Sequence, residues 1–270
     1  MLSVGRWQLA VGSCDLSTAN CQLDTMSAVF ANALSNLGRE ALRIVLPSWC
    51  VACRSELPLL NNGIGRSGPV CASCWSSLPK INVPTCRSCA MPWKGETDGD
   101  LCFDCMPDPL PVDWCDAWGR YSGTLERVLH ALKFERHDFL DDQLAALLDE
   151  TLRDRDFDAI VPVPMHWLRA RRRGYNQAEL IARALSKRIA IPTELLLRKK
   201  HGGVPQSTLA RDARARNVRG AFVASRRAKG KRILIVDDIC TTGETLRACA
   251  RALLREEASR VCAIAIAKAT

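Results

Sequence analysis

The spacing of apolar residues changes along the chain from a helical period to short unbroken runs. Three helical stripes come first, within residues 26–47, over 125–132 and over 140–152. Each stripe repeats at intervals of three and four residues and therefore predicts an amphipathic helix. Residues 1–25 have no such period and stay unassigned, and Met26 is a second candidate for the start of translation.

Short apolar runs dominate the second half of the chain. They lie at residues 159–164, 193–197, 221–224, 233–236 and 261–267, and helical patterns over 180–185 and 246–257 separate several of them. Strands that alternate with helices are typical of α/β domains. The pattern predicts a doubly wound, mainly parallel sheet in a domain that spans residues 118–270.

The run at residues 233–236 is the best candidate for the central strand, because it is wholly apolar and mostly β-branched. Two acids, Asp237 and Asp238, follow it at the end where open α/β sheets place their ligands. A loop of small residues then opens a helix: Thr241, Thr242, Gly243, Glu244 and Thr245. Backbone N–H groups at a helix start bind phosphate, and adjacent acids suit the hydroxyls of a sugar or a metal bound to them.

Fourteen cysteines indicate a second kind of chemistry. Eight of them form four C-x-x-C pairs within residues 48–106, and the spacing fits two zinc ribbons paired in sequence order. The two predicted structural Zn²⁺ sites are Cys50, Cys53, Cys71 and Cys74, and Cys86, Cys89, Cys102 and Cys105. The apolar content of this segment is low, so we expect the metal ions to hold it together. Residues 107–117 contain three prolines and are predicted to be a linker.

The positive charge is concentrated in one region. The whole chain has a net charge of +9, but residues 160–232 contain 19 Lys and Arg against 3 Asp and Glu, a local excess of +16. The remainder therefore sums to −7, and a polyanion should meet the basic region. That polyanion is pyrophosphate, nucleic acid or both. Single-stranded DNA would use Trp93, Trp114 and Trp118 as stacking surfaces.

Targeting signals are not visible in the sequence. Apolar runs fall short of the roughly 18–20 residues of a membrane span, and the N-terminus lacks the pattern of a signal peptide. We therefore expect a cytoplasmic protein with no membrane span.

Residues 233–245 closely resemble the phosphoribosyl-pyrophosphate (PRPP) motif of type I phosphoribosyltransferases. The wider set of motifs resembles the ComF family of competence proteins, which includes ComFC and GntX-like members. It consists of Val161-Pro162-Val163-Pro164, Arg173-Gly174-Tyr175-Asn176-Gln177, the group Gln206, Leu209, Arg211 and Asn217, and the PRPP motif. The resemblance covers residues 27–268. One departure is Lys268, where many relatives have arginine.

The resemblance implies a role for each motif. In the family, a zinc module precedes the phosphoribosyltransferase domain. The two acids, Asp237 and Asp238, bind the ribose 2′- and 3′-hydroxyls and are the catalytic candidates, and the threonine loop holds the 5′-phosphate of PRPP, with Mg²⁺. Gln206 and Arg211 would lie on a flexible loop that closes over PRPP.

The local chemistry of the basic residues supports these roles. Guanidinium groups hold pyrophosphate by paired contacts, which favours Arg173 first and Arg169 second. Asn176 and Gln177 open the next predicted helix and would orient a phosphate or the acceptor.

Two classes of function remain open. The first is a phosphoribosyltransferase with an unknown acceptor, which acts in DNA uptake. The second is a non-catalytic competence factor that binds single-stranded nucleic acid or senses PRPP, with other competence proteins as partners. In the second class the basic region would bind DNA. The alternative to DNA binding is a basic region that serves PRPP binding and solubility alone.

Overall fold

A computed structural model describes residues 49–57, 70–92, 100–134, 140–165, 171, 173–200 and 221–269. The helix predicted for residues 26–47 lies outside them. The strands are β1 (Cys115–Arg120), β2 (Ala159–Pro162), β3 (Leu197–Lys199), β4 (Phe222–Ala224), β5 (Arg232–Cys240) and β6 (Arg260–Lys268). The α-helices are α1 (Ala72–Ser76), α2 (Gly123–Phe134), α3 (Asp141–Thr151), α4 (Gln177–Ile189) and α5 (Glu244–Arg255), and Arg226–Ala228 form a 3₁₀ turn.

The main sheet has four parallel strands in the order β1-β6-β5-β2. Strands β3 and β4 form a separate antiparallel ribbon. This strand order confirms the predicted parallel α/β fold. Its central strands are apolar on both faces, and each connection contains a helix or a long crossover. No helix in the described ranges combines the length and the apolar character needed to cross a bilayer.

Helices cover both faces of this sheet. Leu234 and Val236 of β5 face a core built from α2, α3 and α4, whereas Ile233 and Ile235 face a core that contains α5 and the β3–β4 ribbon. This alternation follows from the two-residue period of a strand, which sends successive side chains to opposite faces. The sheet is therefore doubly wound, as predicted.

The cysteine segment packs on the same two cores. Val51, Leu57 and Leu78 join the first core, and Cys86, Cys89 and Leu110 join the second. The segment was predicted to depend on its metal ions because it is poor in apolar residues. The structure shows a second source of stability, since its apolar residues are buried against the sheet, and Trp49–Thr270 form one compact unit.

Strand β1 was not predicted, and the bounds of two further strands differ from the sequence analysis. β1 starts at Cys115, inside the segment predicted to be a linker, and its outer edge is covered by residues 79–81: Ile81 N–H donates to the Trp118 carbonyl, 3.0 Å, and Arg120 N–H to the Pro79 carbonyl, 2.9 Å. β3 starts only at Leu197, because Thr193 makes an isolated bridge with Ile160 instead. Asp237 and Asp238 lie within β5, which stays paired with β6 as far as Cys240.

Candidate active site and metal centres

The eight cysteines of the C-x-x-C pairs form two clusters in the predicted order. In each cluster, all four Sγ atoms lie within 4.8 Å of one another. Four sulfurs bound at about 2.3 Å to one tetrahedral ion would lie roughly 3.8 Å apart. The Sγ–Sγ distances of 3.7 Å for Cys53–Cys71 and 3.8 Å for Cys89–Cys102 agree with that geometry. Both clusters thus fit structural Zn²⁺ ions, and the sequential pairing is confirmed.

Backbone N–H groups already point at the sulfurs. Cys71 N–H donates to Cys50 Sγ and Cys102 N–H donates to Cys86 Sγ, each at 3.3 Å. Such bonds stabilise the thiolate, which is the form that ligates zinc. In the first cluster, the Ser55 side chain near Cys53 also lowers the pKa of that thiol to about 6.

The two clusters differ in exposure. Cys53 is exposed and Cys71 half-buried, whereas all four cysteines of the second cluster are buried. The second cluster also contacts β5, because the Cys240 thiol donates to the Cys89 carbonyl at 3.6 Å. The first cluster therefore lies nearer to solvent and the second nearer to the centre of the sheet.

Strand β5 carries the predicted acid pair. Asp237 and Asp238 are adjacent, and the Asp238 N–H donates to Asp237 Oδ1 at 2.9 Å. Burial, together with the neighbouring Asp238 charge, raises the pKa of Asp237 well above its ordinary value. Asp238 has a direct counterion, since the Lys133 Nζ lies 2.8 Å from its Oδ2. The strand end thus presents two acidic side chains, and one of them, Asp238, pairs with the ammonium group of Lys133 from helix α2.

The threonine loop joins this strand to α5. Thr241 and Thr242 are exposed, and Gly243 forms the N-terminal boundary of α5 with φ +81°. Gly243 has no side chain to cap this helix, so among the described residues its first N–H groups are available to an anion, and the helix dipole adds to the attraction. Lys268, which is buried, donates to the Thr241 carbonyl and fixes the start of the loop.

The loop is held from behind by the segment that follows the second zinc cluster. Leu110 is buried and its δ-carbons face Gly243, while its N–H donates to Ser88 Oγ at 2.7 Å. Arg247 of α5 donates to the carbonyls of Asp108 and Pro109 at 2.8 and 2.9 Å. The chain between zinc module and sheet therefore supports the threonine loop.

The Arg-Gly-Tyr-Asn-Gln segment lies across the cleft from the loop. Arg173 donates to Gln177 Oε1 at 2.9 Å, and its guanidinium stacks on the Phe134 ring at 4.7 Å. Asn176 donates to the Val163 carbonyl at 3.0 Å, so its side chain anchors the start of α4. Gln177 is 1% exposed, and its Nε2 has no hydrogen-bond partner among the described residues. An amide donor in this state would bind an acceptor atom of a ligand.

These parts enclose an open cleft of about 210 Å³. The predicted site residues on its wall are Asp237, Asp238, Thr245, Arg173, Asn176 and Gln177. The other predicted positions are Thr241, Thr242, Gly243 and Glu244, which belong to the loop beside it, and Arg169, Gln206 and Arg211, which lie outside the described residues. Lining residues that the sequence analysis did not assign include Lys133, Lys199 and Phe222. The one sequence signal for Lys133 is its position between two helical stripes.

Comparison with known proteins agrees with this geometry. Two family models match the chain: the phosphoribosyl transferase domain over residues 142–269 and the double zinc ribbon domain over residues 41–106. Competence protein F of Haemophilus influenzae is 30% identical over 209 residues, which cover 73% of this chain and 86% of that protein. The DNA utilization protein YhgH of Escherichia coli is 31% identical over 228 residues, with coverages of 81% and 96%.

The chain belongs to the ComF family. Competence protein ComFC of Bacillus subtilis is a more distant member of the comparison, 28% identical over 197 residues, with 69% of this chain and 78% of that protein covered. The family resemblance inferred from the sequence motifs is confirmed, and so is the combination of a double zinc ribbon with a phosphoribosyltransferase domain.

Proposed function

We propose that this ComF protein binds PRPP together with Mg²⁺ and transfers its phosphoribosyl group to an acceptor during DNA uptake. The observation that carries the proposal is the arrangement at the end of β5. Two carboxylates, Asp237 and Asp238, lie directly before an uncapped helix N-terminus with exposed Thr241 and Thr242. The two carboxylates suit sugar hydroxyls, and the helix N-terminus with its threonines suits a phosphate.

The remaining cleft residues fit the other end of PRPP. The Arg173 guanidinium would bind the pyrophosphate, and the unpartnered Gln177 Nε2 would donate to one of its oxygens or to the acceptor. Arg169 is a second candidate for the pyrophosphate. Mg²⁺, when bound, would neutralise part of the pyrophosphate charge. Transfer would break the bond between ribose C1′ and pyrophosphate as the acceptor forms a bond to C1′. The acids would stabilise positive charge that develops on the ribose.

Calorimetric titration with PRPP, with and without Mg²⁺, tests this function. The parent should bind PRPP more tightly with Mg²⁺, and Asp237→Asn with Asp238→Asn should remove most of that affinity while side-chain size stays the same. A matched control changes Asp156 and Asp158, two acids that bind Arg232 at the opposite end of the same strands. Equal affinities of the parent and the Asp237/Asp238 variant would show that the site is wrongly assigned.

A specific acceptor does not follow from the cleft, so a second candidate function is retained: a non-catalytic factor that binds single-stranded DNA or senses PRPP. Its support is the names of two relatives, Competence protein F and the DNA utilization protein YhgH, together with the basic region at residues 160–232. Part of that charge is used internally, since Arg188 lies within 4 Å of acids of α3 and Arg232 binds Asp156 and Asp158. Other competence proteins are the remaining class of partner.

The stacking residues predicted for DNA need correction. Trp114 is 5% and Trp118 7% exposed, because both are packed in the core beneath α3, and Trp93 lies outside the described residues. DNA binding would therefore rest on phosphate contacts. Titration of a labelled oligonucleotide at several salt concentrations should give a linear fall of log affinity with log salt. Arg171→Gln with Arg172→Gln should flatten this slope and leave PRPP binding unchanged. An unchanged slope would place the DNA elsewhere, and no binding at low salt would leave only the enzyme or a PRPP sensor.

The compartment that fits the proposal is the cytoplasm. Free thiols are typical of reducing compartments, and the eight cluster cysteines as well as Cys115, Cys240, Cys249 and Cys262 are all free. Zinc content and thiol count in protein isolated from a cytosolic fraction test this location.

A further inference from the structure

Lys133 occupies the cleft although it belongs to none of the ComF motifs described above. It is the next-to-last residue of α2, and its Nζ lies 2.8 Å from Asp238 Oδ2. The side chains of Lys133 and Asp238 are 19% and 14% exposed, so the pair is largely shielded from solvent. In such surroundings, loss of one partner of an ion pair leaves a nearly buried charge without compensation.

The backbone around Lys133 is fixed by the segment that faces it. The Tyr175 hydroxyl donates to the Leu132 carbonyl at 2.6 Å, and Phe134 stacks against Arg173. The last turn of α2 is therefore tied to the start of α4 on both sides of Lys133. A flexible lysine in solvent would lose considerable side-chain entropy on pairing, but here the framework that orients it is already built.

The acid pair needs such a partner. Two adjacent carboxylates repel each other, and at this strand end that repulsion adds to the cost of burial. Lys133 binds one oxygen of Asp238, which leaves the other oxygen to accept a hydrogen bond from a ligand. Across the described residues, this is the single salt bridge formed by either Asp237 or Asp238. The other cleft cations are Arg173, from the segment that precedes α4, and Lys199 of β3, and they lie over the rings of Phe134 and Phe222.

We propose that Lys133 is a positioning residue of the ribose subsite, which holds the Asp238 carboxylate in the orientation that binds the ribose hydroxyls of PRPP. This inference rests on the proposed function and adds a residue to it. Lys133 acts through Asp238 and has no contact with the pyrophosphate. Its effect should therefore depend on the presence of the Asp238 carboxylate and on the positive charge at position 133.

A double-mutant cycle on PRPP affinity tests this dependence. Lys133→Met should weaken PRPP binding by about 10- to 100-fold, because Asp238 would lose the partner that orients its carboxylate. Lys133→Arg keeps the charge and should restore affinity to within about threefold. With Asp238→Asn in place, Lys133→Met should change affinity by less than about threefold, because the group through which Lys133 acts is gone.

Lys231→Met is the matched control. Lys231 makes an ion pair of similar burial with Glu194, but it lies just before β5, at the end of the strand away from the cleft. Its variant should bind PRPP like the parent. Circular dichroism melting of all variants would show whether any loss is merely a loss of folded protein.

The possible outcomes separate the inference from the function on which it rests. Parental affinity of Lys133→Met, or an equal loss for Lys133→Met in the parent and in Asp238→Asn, would overturn the positioning role. If Asp238→Asn itself binds too weakly for the cycle, the arginine variant decides: affinity as low as that of Lys133→Met would reject the inference. A parent that does not bind PRPP at all would reject the proposed function instead.

Discussion

Gly243 is the position at which one added methyl group should affect both stability and phosphate binding. It immediately precedes α5 and has φ +81°, a left-handed conformation that glycine adopts readily and other residues do not. A Cβ built on Gly243 would lie 3.2 Å from both δ-carbons of Leu110. Gly230 provides a matched position, because its φ is +73° and a Cβ there meets nothing within 4 Å.

The expected magnitude has two parts. The left-handed conformation costs an L-residue about 1–2 kcal/mol, and both alanine variants have that cost. Overpacking adds roughly 1–3 kcal/mol at Gly243 alone, since Leu110 is 3% exposed and its backbone is bonded to Ser88. We therefore expect Gly243→Ala to lower the free energy of unfolding by about 2–5 kcal/mol and Gly230→Ala by about 1–2 kcal/mol.

Urea denaturation of the zinc-loaded variants measures the first effect, and PRPP titration measures the second. Gly243→Ala should bind PRPP about tenfold more weakly, a change of about 1.4 kcal/mol, because the loop must shift to accept the methyl group. Adding Leu110→Ala opens space for the methyl group, so the two changes should cost less together than their sum. Equal penalties for the two glycine variants, with parental PRPP affinity in both, would refute this account of the loop.

The remaining predictions concern the metal ions and pH. Metal analysis of reduced protein should find two zinc ions per chain. A chelator should remove zinc faster from the first cluster than from the second, because Cys53 is exposed and Cys89 is buried. Equal rates of zinc release from the Cys53→Ser and Cys89→Ser proteins would contradict this. Cys89→Ser should also weaken PRPP binding more than Cys53→Ser, since Cys89 contacts the strand that leads into the threonine loop. Hydrogen bonds from Arg232 lower the pKa of Asp158 from 3.8 to about 2, so its stabilising contribution is full above about pH 4 and is lost as pH falls through about 2. The difference in unfolding free energy between the parent and Asp158→Asn should be constant from pH 7 to pH 5 and vanish near pH 2; a constant difference at all pH values would exclude this linkage.

Most strands could be predicted because their residues carry their own signal. The runs that became β2, β5 and β6 are apolar on both faces, as parallel strands covered by helices must be. β1 contains an acid, a tryptophan and a glycine, and it is buried because the cysteine segment covers its edge. At Gly119, a Cβ would lie 2.9 Å from the Pro79 carbonyl oxygen, so the glycine is needed for that close approach. Such a contact between distant segments leaves no periodic pattern.

The candidate site likewise contains some residues that local sequence predicts and others that only the packing of distant segments brings together. The acids, the threonine loop and the start of α4 lie in continuous motifs, and local sequence was enough to assign them. Lys133 pairs with an acid 105 positions later in the chain, and Lys199 and Phe222 meet across the β3–β4 ribbon. Neither arrangement follows from composition or spacing, because both depend on how α2 and the ribbon pack on the sheet.

The packing also gives a physical reason why a zinc module and a phosphoribosyltransferase domain occur in one ComF chain. The first cysteine cluster belongs to the core on the α2 face of the sheet, and the second belongs to the core on the α5 face. Residues between the two cysteine clusters cover the edge of β1, and Leu110 supports the loop at Gly243. The zinc-bound segments thus complete the sheet on both faces, and the threonine loop depends on the second of them. A phosphoribosyltransferase domain cut out at residue 118 would lack three residues of β1 and this support, so its PRPP affinity should fall even where the sheet still forms.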